Sequence, residues 1–178
     1  MGFNAGMVHI AGATVSDLAT VGLRATGDHQ SGDYALMGER PSVFRTHDGI
    51  VVVDGTGEIA SEDAMIAAGL GRRVTSATLG STGSVYRIAV MDPTMVVREI
   101  VDVEGERQVD SGAPLPEETG VVTLDEDETF GLFERLTGVS VRDVIDGSLE
   151  LLHRGDGHGD DRDEPAPRRK GFFGRLFG

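Results

Sequence analysis

Residues 72–105 read "RRVTSATLGSTGSVYRIAVMDPTMVVREIVDVEG", and this stretch decides the fold. Three runs rich in Val, Ile, Thr and Tyr, at 72–80, 84–92 and 95–105, are separated only by Ser-Thr-Gly and by the Asp92-Pro93-Thr94 turn. β-Branched and aromatic residues fit a pleated, half-buried surface, whereas Gly, Pro, Asp and Ser supply tight turns. Joins this short cannot cross over a sheet, so the three runs predict an antiparallel meander. Side chains alternate along a strand. In the third run Val97, Glu99, Val101 and Val103 therefore share one face, and Val96, Arg98, Ile100 and Asp102 the other. Charges on both faces predict a strand at an edge or partly exposed.

Working outward, Met7–Ile10 is a short apolar run and a predicted strand. "TVSDLATVGL" reads as a helix: Thr14 and Asp17 have capping-box spacing, and Val15, Leu18, Ala19 and Leu23 fall on one face, with Gly27 as the stop. Residues 28–42 read as a loop. "SVFRTHDGIVVVD", 42–54, reads as two strands about an Asp48-Gly49 hairpin turn. Ser61 as cap, with acids after it and Gly71 beyond, predicts a helix over 62–70. Downstream, "GAPLPEETG" is a proline-ruled connector. "TLDEDETFGLFERLTG" is a helix with Thr123 and Glu126 at capping-box spacing and Gly138 as its end. Ser140 and Asp143 open a second short helix, and "SLELLHR" closes the domain as a strand or a helical turn. The order β-α-ββ-α-βββ-α-α predicts an α+β domain over 1–153, a mixed, largely antiparallel sheet with packed helices.

The chain has 178 residues, 39% of them hydrophobic, enough for one self-sufficient core. It has no Cys, which excludes a disulfide framework, a thiolate metal site and a cysteine nucleophile. The net charge is −14 and unevenly spread. Residues 168–178 hold Arg168, Arg169, Lys170 and Arg175 and no acid, while residues 1–167 hold the other 12 cations and all 30 acids. A body at −18 repels phosphates, so no nucleic acid partner is expected. The N-terminal residues lack the charged and apolar regions of a signal peptide, and no run of 18 apolar residues exists; a cytoplasmic protein is expected.

Candidate chemistry is sparse. Gly55-x-Gly57-x-x-Ala60 after "VVVD" has the outline of a dinucleotide-binding turn, where glycines let a pyrophosphate approach a helix end. The helix starts several residues late, however, and no parallel βαβ pattern surrounds the turn. "DEDE" at 125–128 offers carboxylates to Mg²⁺, but acids also collect at helix N-termini for electrostatic reasons alone. His158 stands in "GDGHGDD" among acids, and His9, His29, His47 and His153 have no metal-ligand spacing. Arg87 and Arg98, on neighbouring strands, either face a ligand or pair across the sheet. No catalytic constellation, cofactor site or metal site stands out, and the domain reads as non-enzymatic.

From 154 to 167 apolar residues almost vanish in favour of Gly, Asp and Pro, which predicts a disordered acidic linker. Then comes "RRKGFFGRLFG". Wound as a helix, Phe172, Phe173, Leu176 and Phe177 span about 140° of arc, with Gly171, Gly174 and Arg175 opposite. Aromatic and leucine side chains beside cations suit an anionic membrane surface, a groove in a partner protein, or the chain's own domain.

The eleven residues 168–178 resemble the membrane-targeting sequence of the MinD-type cell-division ATPases, which is also basic, Phe/Leu/Gly-rich and amphipathic. The resemblance implies insertion of Phe172, Phe173, Leu176 and Phe177 into the inner leaflet, with Arg168, Arg169, Lys170 and Arg175 at headgroups. That family's Walker lysine motif is absent here, so its ATPase activity does not carry over. Residues 70–138, with "GRRVTSATLG", "GAPLPEE" and "DEDETFGLFERLTG", resemble an uncharacterised family of actinobacterial α+β proteins, which implies a fold and no activity. The expectation is a bacterial accessory or adaptor protein held peripherally at the cytoplasmic face of the membrane. The alternatives are a module, alone or as a homo-oligomer, whose basic peptide docks on a larger protein assembly, and a small nucleotide binder using the Gly55–Ala60 turn.

Overall fold

The computed structural model describes residues 4–80 and 82–155. Nine strands form a single sheet: β1 (Asn4–Ala11), β2 (Leu23–Ser31), β3 (Ser42–Arg45), β4 (Gly49–Asp54), β5 (Val74–Gly80), β6 (Val85–Asp92), β7 (Met95–Val103), β8 (Glu106–Gly112) and β9 (Ser148–Arg154). Their spatial order is β2-β9-β3-β4-β1-β5-β6-β7-β8. Every pairing is antiparallel, so the sheet carries no parallel component. The meander expected from 72–105 forms as β5-β6-β7 and continues into β8. Among the described residues the α-helices are α1 (Gly32–Met37), α2 (Asp63–Leu70), α3 (Glu126–Thr137) and α4 (Val141–Ile145). The fold is α+β.

Alternation along the central strands divides the core in two. Ala5, Met7, Val51, Val53, Ala77, Leu79, Ile88 and Ile100 point to one face, where α3, α4 and α1 supply Leu132, Phe133, Val141, Val144, Ala35 and Leu36. Val8, Ile10, Ile50, Val52, Val74, Ala89 and Met91 point to the other, covered by Leu18, Ile59, Ile66 and Ala67. Both faces of the sheet centre are thus buried, and that is why β1, β4 and β6 read as nearly continuous apolar runs. Both clusters lie within residues 5–152, so the body closes its own core.

Several local readings change. Residues 15–21 form a 3₁₀ helix that ends at Gly22, whose φ of 78° is left-handed, and not a helix that runs to Gly27. Thr14 still makes the expected capping contact with Asp17. The predicted loop at 28–42 holds part of edge strand β2 and the short α1. The β3–β4 turn centres on His47 and Asp48, closed by the Thr46 N–H donating to the Gly49 carbonyl at 3.0 Å. Gly49 instead opens β4, where a Cβ would stand 2.3 Å from the Ile10 oxygen. Helix α2 starts at Asp63, and the Ser61 hydroxyl donates to the Glu58 carbonyl, so Ser61 is not the cap. The second sheet edge is β8; β7 lies one strand inside it and is partly exposed, most of all at Met95 and Val96. Residues 148–154 are a strand, which decides between the strand and the helical turn expected there.

Candidate functional site

Arg87 stands on β6 in the sequence Val85-Arg87-Ala89-Met91, an otherwise apolar face turned toward α2. A buried guanidinium requires partners, and it has several. Nη1 donates to Asp63 Oδ2 at 2.7 Å and to the Ser76 hydroxyl at 3.1 Å; Nε donates to Glu99 Oε1 at 2.8 Å. Ser76 in turn donates to Asp63 at 2.5 Å, and Asp63 Oδ1 accepts the Ala64 N–H in the first turn of α2. Burial disfavours the Arg87 charge, but Asp63 and Glu99 outweigh it and raise its pKa. The arrangement bolts α2 to β5, β6 and β7.

Arg98 lies on the opposite face, on the neighbouring strand β7, and is 2% exposed. It forks onto Glu118, with Nε to Oε1 at 2.7 Å and Nη2 to Oε2 at 2.8 Å, and it also pairs with Asp110 and the carbonyls of Ser111 and Gly112. A planar bidentate contact of this kind is the strong form of the ion pair. Glu118 also accepts the Leu115 N–H, so the proline connector is pinned to the sheet. Burial opposes the Glu118 charge, yet Arg98 and the Leu115 N–H hold its carboxyl below the usual range. The hydrogen bond from Arg98 does the same for Asp110. Next to it, fully buried Asp102 accepts from Arg107 and from the Leu124 N–H just ahead of α3. Arg87 and Arg98 therefore do not converge on a ligand. They occupy opposite faces, each consumed by carboxylates.

The Gly55–Ala60 turn also closes on itself. Asp54 is buried and accepts the N–H groups of Thr56 and Ile59 as well as the Thr56 hydroxyl. These are N–H groups that a bound phosphate would need. Gly55 is required for another reason: a Cβ there would meet the Gly38 oxygen at 2.2 Å. The acidic run at 125–128 serves α3. Asp125 caps the helix by accepting the Glu128 N–H at 2.8 Å, and Glu128 pairs with Arg135. The cap is Asp125, not Thr123. Among the described residues no group of three His, Asp or Glu side chains is placed to hold a metal ion.

His9 is buried near the β3–β4 turn, its Nε2 3.4 Å from Asp48 Oδ1 without regular hydrogen-bond geometry. Burial lowers its pKa, and Asp48 only partly opposes this. Asp48 and exposed His47 line an open cavity of about 450 Å³ with Gly12, Ala13 and Arg45.

A second opening lies beside α2. It is a groove of about 350 Å³ lined by Ala64 and by Met91, Asp92, Pro93, Met95 and Val96 around the β6–β7 turn. Met95 is 62% exposed, and neighbouring Met65 on α2 is 59% exposed. No sequence signal marks this groove, because its residues come from separate elements whose packing only the fold defines. Asp63, Ser76, Glu99, Asp110 and Glu118 were missed for the same reason. The one available signal was Arg87 itself, a cation amid an apolar alternation.

No family model, curated protein or solved structure matches the chain. Among the described residues no helix is long and apolar enough to cross a membrane. His158, the rest of the acidic linker, and Arg168, Arg169, Lys170, Phe172, Phe173, Arg175, Leu176 and Phe177 lie outside the described residues.

Proposed function

We propose that the protein is a non-catalytic accessory or adaptor module brought to an anionic membrane surface, at the cytoplasmic face, by residues 168–178. The observation that carries this reading is the segregation of charge and aromatic residues along the chain. Four cations and four large apolar residues share those eleven positions, against a remainder at −18. The body supports it in one respect: Arg87 and Arg98, the cations offered to a ligand, are spent on internal ion pairs. Burying Phe or Leu side chains yields about 1.5–3 kcal/mol each. Each cation near an anionic leaflet adds about 1 kcal/mol. Ordering a short segment that contains Gly171 and Gly174 offsets much of that gain. A single copy then binds transiently, and two copies in a homo-oligomer hold through effective concentration.

Sedimentation with phosphatidylglycerol-containing vesicles tests the proposal. The intact chain pellets at low salt, and pelleting falls with ionic strength and with Phe172→Ala/Phe177→Ala. Equal pelleting of a 1–167 truncation refutes it. Salt-tolerant capture of the segment by a protein without lipid replaces the membrane with a partner's groove.

A further inference from the structure

The last described residues meet the start of α2, the helix that walls the groove. Arg154, one residue before the last described position, donates to both carboxylate oxygens of Glu62 at 3.0 and 2.8 Å. Glu62 immediately precedes α2, and Ala64, two residues further on, is the groove's helical wall. β9, which ends at the exit, and β6, which leads into the groove, stand five strands apart in the sheet, about 24 Å across. Sixteen residues, or seventeen Cα–Cα steps, separate Gly155 from Phe172. A flexible chain of that length has a root-mean-square span of about 21–25 Å. Such a tether reaches the groove.

Chemistry matches as well as reach. Two of the groove's walls are methionines, Met91 and Met95, and methionine repacks readily and contacts aromatic rings favourably. Asp92 lies in the lining, an acid that complements a segment carrying four cations and no acid. Met95 and Val96 leave apolar surface open around it.

We propose that residues 171–177 fold back and seat Phe172 and Phe177 in the groove between α2 and the β6–β7 turn, so that lipid and groove compete for the same side chains. The competition rests on the membrane reading above; the fold-back contact does not. With an effective concentration of about 1 mM and a groove affinity taken as about 0.3 mM, closed molecules exceed open ones roughly threefold. Disabling the groove then raises vesicle affinity about fourfold.

The test records the ¹³C-methyl resonance of Met95 in the full chain and in Phe172→Ala/Phe177→Ala, over a dilution series. A shift between the two proteins that persists on dilution is the expected result. No shift overturns the proposal, and a shift that vanishes on dilution overturns it in favour of a second copy's segment. Vesicle pelleting of Met95→Glu, a change at an exposed turn position, separates the two hypotheses. Pelleting that strengthens about fourfold is expected. Unchanged pelleting by both Met95→Glu and wild type overturns the groove and leaves the membrane reading standing. Pelleting by neither protein, with the methyl shift present, overturns the membrane reading and the competition, and leaves the fold-back contact.

Discussion

Replacing Arg87 by Met removes the cation from the most enclosed ion pair in the body and keeps the length of its stem. Asp63, with its side chain 3% exposed, then retains a charge with only the Ser76 hydroxyl and the Ala64 N–H as donors. Glu99 is a quarter exposed and turns toward water. Removing one partner from a buried pair costs about 3–5 kcal/mol, most of it the charge left behind. For a domain of this size each kcal/mol moves Tm by about 2–4 °C, so the variant should melt about 6–20 °C lower. The double variant Arg87→Met/Asp63→Asn removes the stranded charge and should be more stable than Arg87→Met alone, with a coupling of about 1–3 kcal/mol. Calorimetry on the four proteins of the cycle reads this directly. A drop of under about 3 °C for Arg87→Met, or strict additivity in the cycle, refutes the argument that this cluster fastens α2 to the sheet.

Three further outcomes follow from the same geometry. Glu118 and Asp110 have depressed carboxyl pKa values, so their pairing with Arg98 stabilises the fold above about pH 4.5 and is lost as pH falls through the folded-state values; Tm measured from pH 6 to pH 3 should fall more steeply for wild type than for Arg98→Met. Asp125→Ala should cost about 1 kcal/mol by denaturant titration, while Thr123→Ala stays within about 0.5 kcal/mol, since only Asp125 caps α3. Gly55→Ala forces a Cβ against the Gly38 carbonyl and should cost about 1–3 kcal/mol in the absence of any ligand; wild type should show no thermal shift with a nucleotide panel, and a shift that Gly55→Ala abolishes would restore the phosphate-binding reading.

What the sequence made legible was what packing also enforces. The meander showed because β5 and β6 are buried on both faces and end in obligatory turn residues. Helix α3 showed because its amphipathic face meets Ile88 and Leu79 across the core and Gly138 stops it in a left-handed conformation. Strands β2 and β8 were missed because both are edges. "LRATGDHQS" and "ERQVDSG" bury almost nothing, so no apolar alternation was selected there. Leu23, the one buried residue of β2, completed a false helical period with Val15, Leu18 and Ala19. The charges on β7 were read as exposure. In fact Arg98 and Asp102 are among its most buried residues, because β8 and the connector bring them partners from 5 to 22 positions downstream in the chain, and most pairings of that kind leave no local trace.

The place of β9 in the sheet has a consequence during synthesis. The last strand made slots between β2 and β3, both of which leave the ribosome more than a hundred residues earlier. Until residues 148–154 arrive, β3 and β2 face each other across a vacant lane, with bare backbone donors and acceptors on either side. The meander can zip locally, but this flank must wait. A nascent chain stalled before Ser148 would therefore carry two sticky edges, the state in which this protein most needs a chaperone.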